Sequence, residues 1–347
     1  MKRYEEIVLK AEKGITFEVL EGTRGELIIR ALNIVSDNVY SELPTVSAGK
    51  YAKVLSLYTD NDGNKAVVPQ GWTVSGVPKE NIIWGKDNGL VIYHIPEAEV
   101  IEIDWLDSEE LEKLKRTYDQ MVWIPVSLLE ANGTLDGEHF SEKFGRRNYM
   151  NNEFSGDEFH EALNGELLEQ LESVKKYGGF YISRYNISKS SAGKPQSVKG
   201  VMPWVNINFD DAKKIASTIE DNEAVKSHLT FGAEYDSVLE WFIKTEVKTL
   251  AEIAEDSTEW GNHWNTENSP RKVVETGSRE EWCANNIYDF AGNVNEWTQE
   301  QYKSSCRVIR GGNYNNLGYN YPVTYKNYEG PIYHYNFTGF RATLYIK

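Results

Sequence analysis

Few residues in this chain of 347 have the type and spacing for bond-making chemistry. It holds two cysteines, Cys283 and Cys306, and six histidines. His228 and His263 each lack a His, Cys, Asp or Glu at ligand spacing, and read as satisfied structural histidines rather than metal ligands. Two cysteines are too few for a disulfide framework. They read as two buried thiols, with a single bridge between them as the alternative. The run Asp60-Asn61-Asp62-Gly63-Asn64 begins like a calcium loop. Thr73 stands near the position where a bidentate Glu would close such a loop, so the run reads as a turn.

The chemistry that the sequence does concentrate is that of contact. Between 313 and 336, thirteen of twenty-four residues are Asn or Tyr. They are Asn313, Tyr314, Asn315, Asn316, Tyr319, Asn320, Tyr321, Tyr325, Asn327, Tyr328, Tyr333, Tyr335 and Asn336, with His334 among them. Leu317, Val323 and Ile332 are too little aliphatic content for a core strand, and the aromatic load is too high for a linker. Tyr offers rigid amphipathic area at low entropic cost and Asn offers adaptable hydrogen bonding, which suits a ligand-binding surface. The flanks differ: Arg307-Val308-Ile309-Arg310-Gly311-Gly312 before it and Gly339-Phe340-Arg341 to Lys347 after it read as scaffold.

The length predicts one large or two modest domains with ample chain for a core. A net charge of −16 excludes a general affinity for nucleic acid or anionic membrane, which needs a Lys/Arg surface. The start, Met1 to Glu6, enters no apolar leader, and no run approaches the ~18 apolar residues of a membrane span. Synthesis in the cytoplasm is therefore expected. Strands are predicted at 15–20, 26–32, 51–58, 121–126 and 178–185, with turn chemistry between the first two. A capping box at Asp107 and Glu110 starts one helix. A second helix is expected over 157–176, with Phe159, Leu163, Leu167, Leu171 and Val174 inward. Asn208 and Thr230 are expected to cap a third and a fourth. Isolated helices among many short strands make the class α+β. A small β-rich module is placed at 1–58 and the main domain at 59–347.

Several motifs then fall in a recognisable order: Val122-Trp123-Ile124-Pro125, Phe180-Tyr181-Ile182-Ser183-Arg184-Tyr185, Val205-Asn206-Ile207-Asn208, Leu229-Thr230-Phe231-Gly232-Ala233-Glu234-Tyr235, Tyr288-Asp289-Phe290-Ala291-Gly292-Asn293-Val294-Asn295-Glu296-Trp297-Thr298, 307–312 and Gly339-Phe340-Arg341. Over about 65–347 the chain resembles the formylglycine-generating-enzyme (sulfatase-modifying factor) family. The resemblance implies a variant of the C-type lectin fold. Function does not follow from fold alone. Catalytic members hold copper through two cysteines between the Arg-Gly-Gly and Gly-Phe-Arg motifs, an interval that has none here. A soft copper site needs converging thiolates, so no enzyme activity and no copper are expected. Family members also hold Ca²⁺ near the Gly-Asn-Val loop, which makes Asp289, Asn293 and Glu296 calcium candidates, although such residues in a turn more often cap the backbone. Arg310, Arg341, Glu296 and Trp297 read as scaffold.

A second branch of the fold, the variable proteins of diversity-generating retroelements, resembles this chain more closely in its C-terminal segment. In that branch adenines of a 3′ template are miscopied. An AAY codon encodes Asn, and changing its first base yields Tyr, His or Asp, while changing its second yields Ser, Thr or Ile. Tyr, His334, Ile332 and Thr324 all belong to that reachable set. The implied function is non-catalytic recognition of a protein or cell-surface ligand by a variable region within 307–347. Phage or prophage origin, virion association or surface display, and an oligomer are compatible with it. The alternatives are a metal-dependent oxidase of the formylglycine-generating type and a fixed, undiversified lectin-like structural protein.

Overall fold

The most apolar runs of the chain pair with one another. A computed structural model describes residues 16–21, 27–32, 37–99, 108–126, 159–160, 165–303 and 305–347. Six strands form an antiparallel sheet in the order Val225–Leu229, Ala342–Ile346, Gly179–Ser183, Gln120–Pro125, Val91–Tyr93, Thr73–Val74. Both faces are covered, which is why its middle strands, Gly179–Ser183, Gln120–Pro125 and Val91–Tyr93, are almost continuously hydrophobic. The two-residue period of a strand divides them cleanly. Val122, Ile124, Phe180 and Ile182 face a cluster built with Val238, Leu239, Trp241 and Phe242 of the helix Gly232–Lys244. Met121, Trp123, Tyr181 and Leu344 face a second cluster with Val67, Val68 and Trp72.

A second sheet carries the C-terminal segment. Its order is Asn327–Glu329, Cys306–Arg310, Asn295–Tyr302, Thr338–Phe340, with the last pair parallel. A third cluster, including Ile207, Phe209, Trp297, Ile309 and Phe340, joins this sheet to the helix Phe209–Ala216. Within it the Trp297 indole N–H donates to the Ile207 carbonyl at 3.0 Å.

Local signals hold where the chemistry is self-contained. Asn208 caps its helix by accepting from the Asp211 N–H at 2.9 Å. Asp60 Oδ1 accepts from the Asp62 and Asn64 N–H groups at 3.0 and 2.9 Å, and its Oδ2 from Ile83 N–H, so the calcium-like run is a turn. Other expectations are displaced by pairing at a distance. The helix expected over 157–176 is Gly165–Tyr177, because Phe159–His160 pairs as a strand with Gln301 and Tyr302. Leu167 and Val174 are buried as expected, whereas Leu163 and Asp107 lie outside the described residues, as does the side chain of Leu171. Phe231, not Thr230, is the cap of the helix Gly232–Lys244: the Glu234 carboxylate accepts the Phe231 N–H at 2.8 Å.

At the N-terminal end, Thr16–Glu21 pairs antiparallel with Leu27–Leu32. The strand expected over 51–58 is confined to Ser56–Thr59, which pairs with Lys65–Val68 and so crosses the expected boundary at 58/59. Tyr40, Leu43, Val46 and Leu55 pack against the second core cluster. Among the described residues, no helix is long and apolar enough to cross a membrane.

Candidate ligand-binding surface

The strand Cys306–Arg310 delivers the chain to the Tyr/Asn-rich segment through a fixed exit. Arg310 is buried, with one Nη 2.6 Å from Asp236 Oδ1 and the other 3.3 Å from Glu300 Oε2. Its guanidinium lies over the Tyr235 ring at 4.6 Å. Gly311 and Gly312 follow at φ +90° and +72°. A Cβ on Gly312 would meet the Tyr321 carbonyl oxygen at 2.9 Å and His263 Cε1 at 3.1 Å, so glycine is needed both for conformation and for space. At the far end of this excursion Lys326 Nζ is 3.2 Å from Glu300 Oε1. One buried carboxylate thus ties down both ends of the 311–326 loop.

Between those ends the backbone is held by other parts of the chain. Tyr314 N–H donates to the Asn293 carbonyl (3.2 Å), and the Asn316 carbonyl accepts from Trp264 N–H (2.8 Å). The Gly318 N–H donates to Asn265 Oδ1 and the Val323 N–H to Ser257 Oγ, both at 2.9 Å. After the strand Asn327–Glu329, the Pro331, Tyr335 and Phe337 carbonyls accept from the N–H groups of Phe209, Asn206 and Asn295 at 3.1, 2.9 and 2.8 Å. The scaffold satisfies much of the segment's backbone, which leaves most of its side chains free of that duty.

Those side chains form the surface. Tyr319 and Tyr333 are 53% and 52% exposed, and Asn315, Asn320, His334 and Asn336 are exposed too. Tyr314, Asn316, Tyr321, Tyr325, Asn327, Tyr328 and Tyr335 are half-buried. Rings support one another: Tyr321 and Tyr325 meet edge-on at 4.8 Å, Tyr328 stacks on Tyr302 at 3.8 Å, and Tyr335 stacks on Phe337 at 5.0 Å. Asn313 departs from the expected role. It is buried, its Oδ1 accepts from the Asn315 N–H at 2.8 Å, and its own N–H donates to Asn316 Oδ1 at 3.0 Å. Asn313 and Asn316 shape a turn.

The surface also includes residues that the sequence pattern did not single out. Trp264 is 42% exposed and hydrogen-bonded through its backbone to Asn316. Trp204, two residues from Asn206 whose N–H donates to the Tyr335 carbonyl, is half-buried under Lys189 at 4.8 Å. Trp264 lies in a short polar run and Trp204 in the apolar run 201–205, both far from 313–336 in sequence, so their signal was weak.

The three calcium candidates are committed to different partners. Asp289 Oδ2 accepts from the Gly277 N–H at 2.8 Å. Asn293 clamps Val274, with Oδ1 accepting its N–H at 3.0 Å and Nδ2 donating to its carbonyl at 3.2 Å. Glu296 Oε1 accepts from Asn186 Nδ2 and Arg341 Nε, both at 2.6 Å. Asp289 Oδ1 and Glu296 Oε2 lack a donor among the described residues. Burial pushes Asp289 up to about 6 and Glu296 up to about 7, with Arg341 Nε on Glu296 Oε1. Among the described residues, no group of three His, Cys, Asp or Glu is placed to hold a metal ion. Arg341 is scaffold: besides Glu296 it donates to the Ser183, Arg184 and Tyr288 carbonyls. Cys283 and Cys306 are free and half-buried rather than buried, and burial pushes the Cys283 thiol up to about 12.

The two histidines differ. His228 Nε2 lies 2.9 and 3.0 Å from the Glu234 carboxylate oxygens, as a structural histidine should. His263 was expected to be satisfied as well, but neither ring nitrogen has a partner among the described residues. Burial beneath the Gly312 turn holds its imidazole down to about 4, against a smaller upward pull from Asp256. The unfolded chain therefore binds a proton that the folded chain refuses. The stability this confers is complete above about pH 6.5 and is lost as pH falls through 4, amounting to about 3 kcal/mol. Replacing His263 with Phe removes this loss. Unfolding free energies measured between pH 7 and 4 should show the parent falling relative to the variant by that amount, whereas a constant difference would mean a hydrated imidazole.

Comparison with known proteins gives the following. The family model for the sulfatase-modifying factor enzyme 1-like domain matches residues 107–345. No curated protein matches significantly. Among solved structures, PvdO from Pseudomonas aeruginosa is similar at 15% identity and a TM-score of 0.36, over 49% of this chain and 81% of that one. CarF is similar at 16% and 0.37, over 49% and 87%. Treponema denticola variable protein 1 is similar at 17% and 0.27, over 65% and 84%.

Proposed function

The chain belongs to the sulfatase-modifying factor enzyme 1-like domain family, and on that scaffold we propose that it is a non-catalytic binding protein. Its ligand is a protein or cell-surface molecule, and its recognition surface is the Tyr/Asn-rich segment diversified by a retroelement. The observation that carries this reading is the division of labour within 313–336. The backbone is fastened by hydrogen bonds from 206–209, 253–265 and 293–295, while most Tyr and Asn side chains remain accessible. A surface fastened in this way can exchange side chains without refolding, and little ordering entropy is lost when a ligand binds. Exposed aromatic area of this kind marks an interaction site. Phage or prophage origin would give such a binder a route to external targets on a released particle.

The competing oxidase reading needs a thiolate pair, and no cysteine lies between Gly312 and Gly339. Burial pushes the Cys283 thiol up to about 12, away from the thiolate form that reacts. Protein purified anaerobically and analysed for metals should contain copper and iron well below one atom per chain. Stoichiometric retention of either, surviving dialysis, would overturn the non-catalytic reading.

A further inference from the structure

We propose that Arg271, laid over Trp264, is a constant carboxylate-reading anchor of the binding surface, taking an Asp or Glu side chain of a protein ligand. The inference rests on the binding function proposed above and names one feature of the ligand. Arg271 Cζ stands 4.5 Å from the centroid of the Trp264 ring, and both residues are exposed. Stacking on an indole leaves the edge of a guanidinium, with its paired N–H donors, open to solvent. That edge matches a carboxylate bidentately. Arg184, Arg279, Arg310 and Arg341 each pair with a carboxylate. Arg271 does not pair with one among the described residues, in a chain with 53 acidic residues.

Its placement is built. Arg271 is held in the left-handed region at φ +52°, a conformation that costs a non-glycine residue about 1 kcal/mol. The adjoining residues impose it. Asn262 Nδ2 donates to the Lys272 carbonyl at 3.0 Å, Asn293 clamps Val274, and the Arg271 N–H donates to Ser269 Oγ at 3.2 Å. The same Asn293 accepts from the Tyr314 N–H through its carbonyl, and Trp264 N–H donates to the Asn316 carbonyl. The anchor and the Tyr/Asn-rich segment therefore share one set of fastenings. Arg271 and Trp264 nonetheless lie outside 313–336, so changes within that segment leave them unaltered. Net charge of −16 disfavours acidic partners at long range, but that field is screened beyond about 8–10 Å. Recognition is by contact, and the Tyr/Asn composition of the segment fastened beside the anchor suits a protein ligand.

The test is to pan a random peptide library displayed on phage against the full chain and, in parallel, against Arg271→Gln. The parent should enrich peptides carrying an Asp or Glu at a shared position. Arg271→Gln should still enrich peptides but without that acidic preference, and should bind the parent's best acidic peptide about tenfold or more weakly. Arg271→Lys should recover part of the loss. Peptides enriched by the parent without an acidic preference, or an equal preference in Arg271→Gln, would overturn the anchor while leaving the binding function intact. If the parent enriches no peptide above the support, the binding function falls and the anchor with it. Unchanged melting temperatures in both variants would confirm that Arg271 carries no structural load.

Discussion

Replacing Arg310 with Met is expected to destabilise the chain by about 3–5 kcal/mol. The side chain lies in the interior between Asp236 and Glu300, with Lys326 completing a cluster of two acids and two bases. Removing one base leaves Asp236 charged, buried and without its 2.6 Å partner, and solvation cannot reach it. Burying the apolar thioether recovers only part of the loss. Urea unfolding of the single variant and of Arg310→Met with Asp236→Asn separates the causes. The double variant should regain a substantial part of the stability, because the uncompensated charge is gone. A single variant within about 1 kcal/mol of the parent would show that the cluster is hydrated. The functional consequence follows from position. Arg310 precedes the Gly311-Gly312 turn and Lys326 ends the excursion, so amide hydrogen exchange across 311–326 should rise more than across 120–125.

The second large effect concerns binding and spares the fold. Substituting Tyr319, Tyr321 and Tyr325 together by Ala should abolish ligand binding and lower the melting temperature by only a few degrees. Tyr319 is 53% exposed, and Tyr321 and Tyr325 are half-buried and meet edge-on at 4.8 Å. Their ring pair contributes about 0.5–1.5 kcal/mol, which for a chain of this size is about 1–2 °C. As aromatic anchors of an interface each can contribute about 2 kcal/mol or more, so losing three costs at least a thousandfold in affinity. A drop in melting temperature of 15 °C or more would identify these tyrosines as core.

What the sequence disclosed about the fold followed from interactions it could close locally or repeat. The runs at 121–124 and 180–182 had to be doubly covered strands, Asp60 had the amides of its own turn within reach, and Asn208 capped its own helix. Arg310 and Arg341 were legible as scaffold because buried arginine demands a carboxylate, and Asp236, Glu300 and Glu296 supply it. The misses depend on partners far away in the chain. Phe159 fits a helical stripe, yet Gln301 and Tyr302 claim its backbone for a strand. Thr230 has the chemistry of a cap, but its Oγ1 meets no partner among the described residues, and the helix is closed instead by the Glu234 carboxylate on the Phe231 N–H. Asn293 looked like an oxygen ligand, and only the approach of Val274 reveals it as a clamp. In the same way Asn313 had the composition of a contact residue and the position of a turn former. Trp264 and Arg271 were invisible as surface residues because the surface is assembled from segments about fifty residues apart in sequence, held side by side by the Trp264 to Asn316 and Gly318 to Asn265 bonds.

If the Tyr/Asn-rich surface is diversified, residues 313–336 change while their frame does not, and deep sequencing of codons 305–347 with flanking DNA across a population of the source organism reads this out. Variation is expected at adenine-derived positions encoding Tyr314, Asn315, Tyr319, Asn320, Tyr321, Tyr333 and His334, with Arg310, Gly311, Gly312, Gly339, Phe340 and Arg341 fixed. A near-copy of the segment should lie beside a reverse-transcriptase gene. An invariant segment with no near-copy nearby would contradict retroelement diversification.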